Sequence, residues 1–143
     1  MNSIQVKQEF NQPLERIFNL LSKHSTYNQV FAPIQVIRVK DSNDSSRPDG
    51  VGSIRKMGWG PVKPIQEQIT VLDVNKRIEY QIINNPLIKH HLGIIEFQEI
   101  SASKTQVTYT IELQARAPFV SKLILAQLKL AITLGFKKLA KRL

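Results

Sequence analysis

The residues with the clearest chemical potential are Glu67 and Arg55, which lie on two neighbouring predicted strands. Alternation along residues 65–71 places Glu67 on the apolar side of its strand, the side expected to face the interior. A buried carboxylate is costly unless it is paired. Glu67 therefore predicts a polar anchor for a ligand, or an acid/base group with a raised pKa. The alternatives are a buried ion pair with Arg55 and a bulge that turns the carboxylate outward.

Arg55 offers an anion-binding group on the same strand face as Val51, Ser53 and Met57. Its planar guanidinium is suited to hold a ligand carboxylate at the mouth of a cavity. A solvent-exposed arginine and a structural partner for Glu67 are the two other interpretations, because most charged side chains lie on protein surfaces.

His90 and His91 are adjacent on a predicted strand, so their side chains point to opposite faces and cannot bind one metal together. His91 lies on the predicted inner face and is a candidate general base. An exposed or capping histidine at a strand start is the alternative interpretation. With 3 His, 0 Cys and no His-x-x-x-His spacing, the sequence predicts neither a metal site nor a cofactor.

Large apolar and aromatic side chains fall on the same inner faces and are compatible with either a filled core or the wall of a pocket. If the interior holds a cavity, Tyr80 and Tyr109 place hydroxyl groups inside an apolar pocket, as is typical of a binding site. The predicted ligand-binding residues are Arg55, Met57, Trp59, Glu67, Ile69, Tyr80, Phe97, Tyr109, Ile124 and Leu128.

Seven segments with strand periodicity position these candidates, at residues 3–10, 34–40, 51–59, 65–74, 78–83, 91–100 and 106–115. Two short helices are expected after the first strand, one opening at Pro13 and one capped by Ser25 or Thr26. From Pro118 the apolar period changes from two to about 3.6, which predicts one long C-terminal helix. Short connections favour an antiparallel sheet, whose apolar face that helix must cover.

The order of these elements, together with several local patterns, resembles the START-like superfamily of polyketide cyclases/dehydrases and lipid-transport proteins. The patterns are PLERIF at 13–18, YNQVFAP at 27–33, GVGSIR at 50–55, and EQI at 67–69 followed by KRIEY at 76–80. Phe31 and Asn75 stand where that family often has Trp and Pro. The resemblance covers the whole chain and implies the helix-grip fold, an α+β architecture in which a curved seven-stranded antiparallel sheet wraps around the long C-terminal helix. It also implies a hydrophobic cavity between sheet and helix.

Length, cysteine content and charge give further predictions about the domain number and the partners of this protein. The 143 residues predict a single domain over 1–143, and the absence of Cys excludes disulfides and thiol nucleophiles. Residues 116–143 hold seven basic residues and no acid, out of a net charge of +9. This basic helix is either the solvated face of a packed helix or a surface for anionic lipid, whereas no nucleic-acid reader motif is present. No secretory signal is apparent, which predicts a cytoplasmic protein.

We therefore expect a protein that binds a small hydrophobic molecule or lipid between the sheet and the C-terminal helix. A cyclase-, dehydratase- or hydrolase-like enzyme using the same cavity is the alternative, with Glu67, His91 and Arg55 as candidate catalytic residues. No complete catalytic constellation is visible, so the sequence favours binding over catalysis. A second alternative is a membrane-surface protein that docks by its basic helix. The sequence indicates no oligomeric state, and large side chains such as Phe136 would leave no cavity if they filled the interior.

Overall fold

A computed structural model describes residues 2–143 and contains seven strands and three α-helices. The strands are β1 (Asn2–Phe10), β2 (Gln35–Lys40), β3 (Ile54–Trp59), β4 (Val62–Asp73), β5 (Arg77–Ile83), β6 (Ile88–Ser101) and β7 (Lys104–Ala115). The helices are α1 (Leu14–Leu21), α2 (Tyr27–Val30) and α3 (Pro118–Arg142), and a short 3-10 helix (His24–Thr26) leads into α2.

All seven strands form one antiparallel sheet in the order β1-β7-β6-β5-β4-β3-β2. Strands β2 to β7 follow one another as a meander, and β1 closes the sheet beside β7. The register shifts in five places, including one within β3 between Met57 and Trp59 and one within β4 between Ile69 and Val71. Such bulges bend strands and increase local twist, so they curve the sheet towards α3.

Helix α3 crosses the concave face of the sheet and covers the core. Its buried residues include Leu125, Ile132 and Phe136. The Phe136 ring packs edge-on against Phe10 of β1, with ring centroids 5.9 Å apart. A Cβ atom at Gly135 would collide with the backbone of Val30, so glycine at this position lets α2 lie directly against α3. The predicted α+β helix-grip architecture is thereby confirmed.

Strand boundaries differ from the sequence expectation at the ends of the sheet. β3 begins at Ile54 rather than residue 51, because Gly52 has a φ of +89° and turns the chain before the ladder starts. β6 begins at Ile88, three residues earlier than expected, because its first residues pair with the end of β7. Apolar alternation reports which face is buried but not how far backbone pairing extends beyond the last buried side chain.

The outer face of α3 is more apolar than the sequence suggested. Leu123 is exposed, as are Phe119, Leu130 and Leu134. The most apolar window of α3 has a mean hydropathy of 1.6. Judged by length and composition alone, the helix could cross a membrane. In the fold, the inner side of α3 belongs to the hydrophobic core and covers the sheet.

Candidate functional site

An apolar cavity of about 200 Å³ lies between the concave face of the sheet, α3 and the segment that follows α2. Strands β3 to β7 supply most of its wall, and Ile124 and Leu128 of α3 close it from the other side. Among its lining residues, Glu67 and His91 are the ionisable groups other than tyrosine. The lining residues are Phe31, Ile34, Met57, Gly58, Trp59, Pro64, Ile65, Glu67, Tyr80, Ile82, Ile88, His91, Ile111, Leu113, Ile124 and Leu128.

A buried ion pair forms the polar end of this cavity. Arg55 and Glu67 are directly opposite each other in the β3–β4 ladder. Nε of Arg55 donates to Oε1 of Glu67 at 2.8 Å, and Nη2 lies 2.8 Å from the same oxygen. Burial raises the pKa of Glu67, and the Arg55 guanidinium offsets part of that rise. The hydrogen bond from Arg55 goes to Oε1. The other carboxylate oxygen, Oε2, has no hydrogen-bond donor among residues 2–143.

Two tyrosine rings enclose the guanidinium of Arg55. Its Cζ lies 4.7 Å from the ring centroids of both Tyr27 and Tyr80. These distances are typical of cation–π contacts, which are strongest when the cation is desolvated. Arg55 is thus held between one carboxylate and two aromatic rings.

Tyr80 and Tyr109 share a hydrogen bond between their hydroxyl groups. Burial raises the pKa of both phenols well above the ordinary value, so both stay protonated at neutral pH. The Tyr80 ring fits over β6 because residue 93 is glycine, where a Cβ atom would overlap the ring. The two hydroxyl groups are hydrogen-bonded to each other, so they leave few unpaired polar groups in the cavity wall.

His91 has a hydrogen bond that fixes its tautomer. Its Nδ1 accepts the backbone N–H of Ile82 at 2.9 Å, so in the neutral ring the proton sits on Nε2. Burial, with smaller contributions from His90 and Arg55, lowers the pKa of His91 to about 4. At neutral pH His91 is therefore an uncharged hydrogen-bond donor. Its lone pair is already used, which argues against the expected role of general base.

The structure brings most of the predicted site residues to the cavity. Met57, Trp59, Glu67, Tyr80, Ile124 and Leu128 line it, together with the candidate His91. His90 faces away and contacts Glu112 at 3.0 Å.

Four predicted ligand-binding residues are not among those that line the cavity. Arg55 lies beside Glu67, Tyr27 and Tyr80 instead. Phe97 packs against Phe18 of α1, with ring centroids 5.0 Å apart. Ile69 and Tyr109 are buried in the core behind the cavity wall.

Several lining residues were not predicted from the sequence. Ile111 and Leu113 lie on the inner face of β7, which the alternation of that strand already indicated. Phe31 and Ile34 line the cavity only because the segment between α2 and β2 folds back over the sheet. That path includes a cis bond between Ala32 and Pro33, and no periodic pattern reports it.

A second polar cluster, also not predicted, lies where the β2–β3 loop meets the 3-10 helix. Nε2 of the buried His24 contacts Oγ of Ser53 at 3.0 Å and lies 3.8 Å from Asp49. Asp49 also accepts the backbone N–H of His24 at 2.8 Å and binds Arg38. Serine and aspartate approach the same ring nitrogen, so this is not the two-sided relay of a catalytic triad. The cluster instead fastens the loop to the fold.

No group of three or more His, Cys, Asp or Glu side chains within residues 2–143 is arranged to hold a metal ion.

Solved structures similar to this chain share its fold at low sequence identity. A solution structure from Thermobifida fusca has a TM-score of 0.79 at 17% identity and covers 99% of this chain and 93% of its own. The Zhui aromatase/cyclase from a Streptomyces species has a TM-score of 0.75 at 15% identity, with 99% and 94% covered. The di-domain ARO/CYC protein BexL has a TM-score of 0.68 at 14% identity, and the match covers 96% of this chain but 47% of BexL.

No curated protein sequence matches the chain. The family model described as polyketide cyclase / dehydrase and lipid transport matches residues 1–143. The whole-chain match agrees with the strand order and the position of the long helix. The chain therefore belongs to the polyketide cyclase/dehydrase and lipid transport family.

Proposed function

We propose that this protein binds a compact, uncharged hydrophobic molecule with one polar end in the cavity between the sheet and α3. The observation that carries the proposal is the composition of the cavity wall, which is apolar apart from a few polar groups near the Arg55–Glu67 pair. Apolar pockets with few, well-placed polar groups are typical of small-molecule sites.

The polar end of the cavity defines the ligand's functional group. Oε2 of Glu67 is an unused acceptor, and Nε2–H of His91 is an available donor. A hydroxyl group can donate to the first and accept from the second. A ligand carboxylate would meet the Glu67 carboxylate, while Arg55 is already paired. We therefore expect an alcohol or phenol rather than an acid.

The cavity volume limits the size of the ligand. An apolar cavity of about 150 Å³ is known to hold benzene, so about 200 Å³ suits a molecule on the order of one or two fused rings.

Equilibrium dialysis with naphthalene and 2-naphthol, which differ by one hydroxyl group, tests this proposal. We expect 2-naphthol to bind about tenfold more tightly, because two hydrogen bonds add roughly 1.4 kcal/mol. In His91→Phe the preference should fall to about threefold or less, whereas His90→Phe, on the opposite face of β6, should retain it. Binding of neither compound would refute a cavity for small apolar ligands. Equal binding of both would refute the assigned polar end.

Native mass spectrometry of the freshly purified protein identifies a resident ligand. We expect additional mass that is lost on denaturation and that belongs to a neutral hydroxylated compound. A resident fatty acid or other anion would contradict the hydroxyl assignment.

A cyclase- or dehydratase-like enzyme is the second candidate function. It is favoured by the family and by the similarity to proteins named aromatase/cyclase. In this chain Glu67 would be the proton acceptor, because its Oε2 is free and its pKa is raised by burial. His91 would donate a hydrogen bond to a carbonyl oxygen. If a linear polyketone loses water in the presence of the protein, Glu67→Gln should abolish that product, and unchanged turnover would refute the assignment.

A further inference from the structure

Three chain segments meet at one end of the sheet. The β3–β4 turn is there because Trp59 pairs with Val62 across it. The β5–β6 connection is at the same end, because the end of β5 pairs with the start of β4. The start of α3 joins them, because Ile88 at the beginning of β6 pairs with Ala115 at the end of β7.

Large apolar side chains are exposed on all three segments. Trp59 is 60% exposed, Leu87 is 68% exposed and Phe119 is 75% exposed, and Val62 and Leu123 are exposed beside them. We call these five residues the end face. Monomeric proteins seldom gather such side chains at one place without a binding role.

The end face lies at the cavity. Trp59 belongs both to the end face and to the cavity wall. Ile88 and Ile124, which line the cavity, each follow an end-face residue directly in sequence. The apolar surface outside therefore continues into the apolar interior.

The three segments that form the end face are basic, and the acidic residue Glu112 contacts His90 of one of them. Residues 54–66, 83–91 and 115–124 contain no Asp or Glu. They carry the exposed basic residues Lys89, Arg116 and Lys122, together with the half-buried Lys63. Acidic residues concentrate on the opposite end of the sheet and on the β2–β3 loop there, namely Glu9, Asp41, Asp44, Asp49, Asp73 and Glu99.

We propose that the end face docks on the surface of an anionic lipid bilayer. A bilayer interface accepts Trp and other apolar side chains at the headgroup level and attracts lysine and arginine to its phosphates. A second copy of this chain would bring like charges together at the same place, which disfavours a dimer through this face. Docking in this orientation directs the cavity towards the acyl chains.

Co-sedimentation with phosphatidylcholine vesicles, with and without phosphatidylglycerol, tests the proposal at low salt. We expect the protein to bind only the vesicles that contain phosphatidylglycerol, and added salt to release it because exposed charges are screened. The double variant Leu87→Ser/Phe119→Ser should bind about tenfold more weakly, since it removes apolar surface without touching the core. The matched control is Leu130→Ser/Leu134→Ser, which changes two equally exposed leucines farther along α3.

Each alternative outcome overturns the proposal. If wild type does not sediment with anionic vesicles, there is no docking surface. If the control variant loses as much binding as the end-face variant, the side of α3 is the contact. If analytical ultracentrifugation shows a dimer that Leu87→Ser/Phe119→Ser dissociates, while vesicles bind nothing, the partner is a second copy. All three readouts are independent of the naphthol experiments, so docking and cavity binding can fail separately.

Discussion

At the residue scale, the Arg55–Glu67 pair determines both the stability and the polarity of the interior. Each charge is buried, and each is paired with the other. Removing one partner of such a pair leaves an uncompensated charge, whereas removing both with apolar substitutes is often neutral. Removing one partner should therefore destabilise the fold by more than the intact pair stabilises it.

We predict that Glu67→Gln lowers the free energy of unfolding by roughly 3 kcal/mol, because it leaves the Arg55 guanidinium buried beside a neutral amide. The double variant Arg55→Met/Glu67→Leu should recover most of that loss. Urea denaturation measures both proteins. If the double variant is less stable than the single one, the tyrosine rings around Arg55 contribute more than the ion pair does.

The sequence indicated this pair but not its consequence for the ligand. Alternation placed Glu67 inward, and the pairing with Arg55 was one of the alternatives considered. The cation–π contacts with Tyr27 and Tyr80 were not visible, because Tyr27 comes from α2 and reaches the pair only through the tertiary fold. These contacts compete with a ligand carboxylate for Arg55.

At the scale of elements, α3 has two apolar sides. Ile124 faces the cavity, and its sequence neighbour Leu123 faces outward. Ile124 and Leu123 are therefore adjacent positions on one helix at which the same substitution should affect ligand binding differently.

We predict that Ile124→Trp weakens the binding of 2-naphthol by about tenfold or more, because the indole occupies the cavity, with a change in unfolding free energy of about 1 kcal/mol or less. Leu123→Trp should leave binding unchanged. Equilibrium dialysis and urea denaturation give the two quantities. Equal effects of both substitutions would show that the cavity is not the site.

Periodicity predicted each element and its buried face, because strands and helices have fixed repeats. It did not predict the exposed apolar row on α3. The basic residues of α3 suggested a solvated outer face, but Leu130 and Leu134 are exposed as well. A helix that is apolar on two sides has no single stripe, so pattern analysis does not distinguish its packed side from its exposed one.

At the scale of the whole molecule, two buried histidines make stability depend on pH. The pKa values of His24 and His91 are lowered from 6.5 to about 4, chiefly by burial. The unfolded chain therefore binds more protons than the native one between about pH 4 and 6.5. Stability is fully present above pH 6.5 and decreases as the pH falls through this window, by roughly 3 kcal/mol for each histidine.

We predict that His24→Gln reduces this dependence, because glutamine keeps a polar group near Ser53 but does not titrate. Urea denaturation at pH 4.5 and pH 7, values on the order of the window limits, measures the difference for both proteins. Glu67, whose pKa is raised by burial, contributes an opposite slope to both and cancels in the comparison. Identical pH dependence in the two proteins would show that His24 is already charged in the fold.

The position of the chain's one tryptophan has an optical consequence. Trp59 lies both in the cavity wall and on the end face. Its indole is the chain's one tryptophan fluorophore, so its emission responds both to ligand binding and to membrane docking. A ring system entering the cavity would quench its emission by direct contact, whereas immersion in lipid headgroups would shift that emission to shorter wavelengths. One unlabelled sample therefore reports cargo and membrane as two separate spectral changes, and their order in time would reveal which happens first.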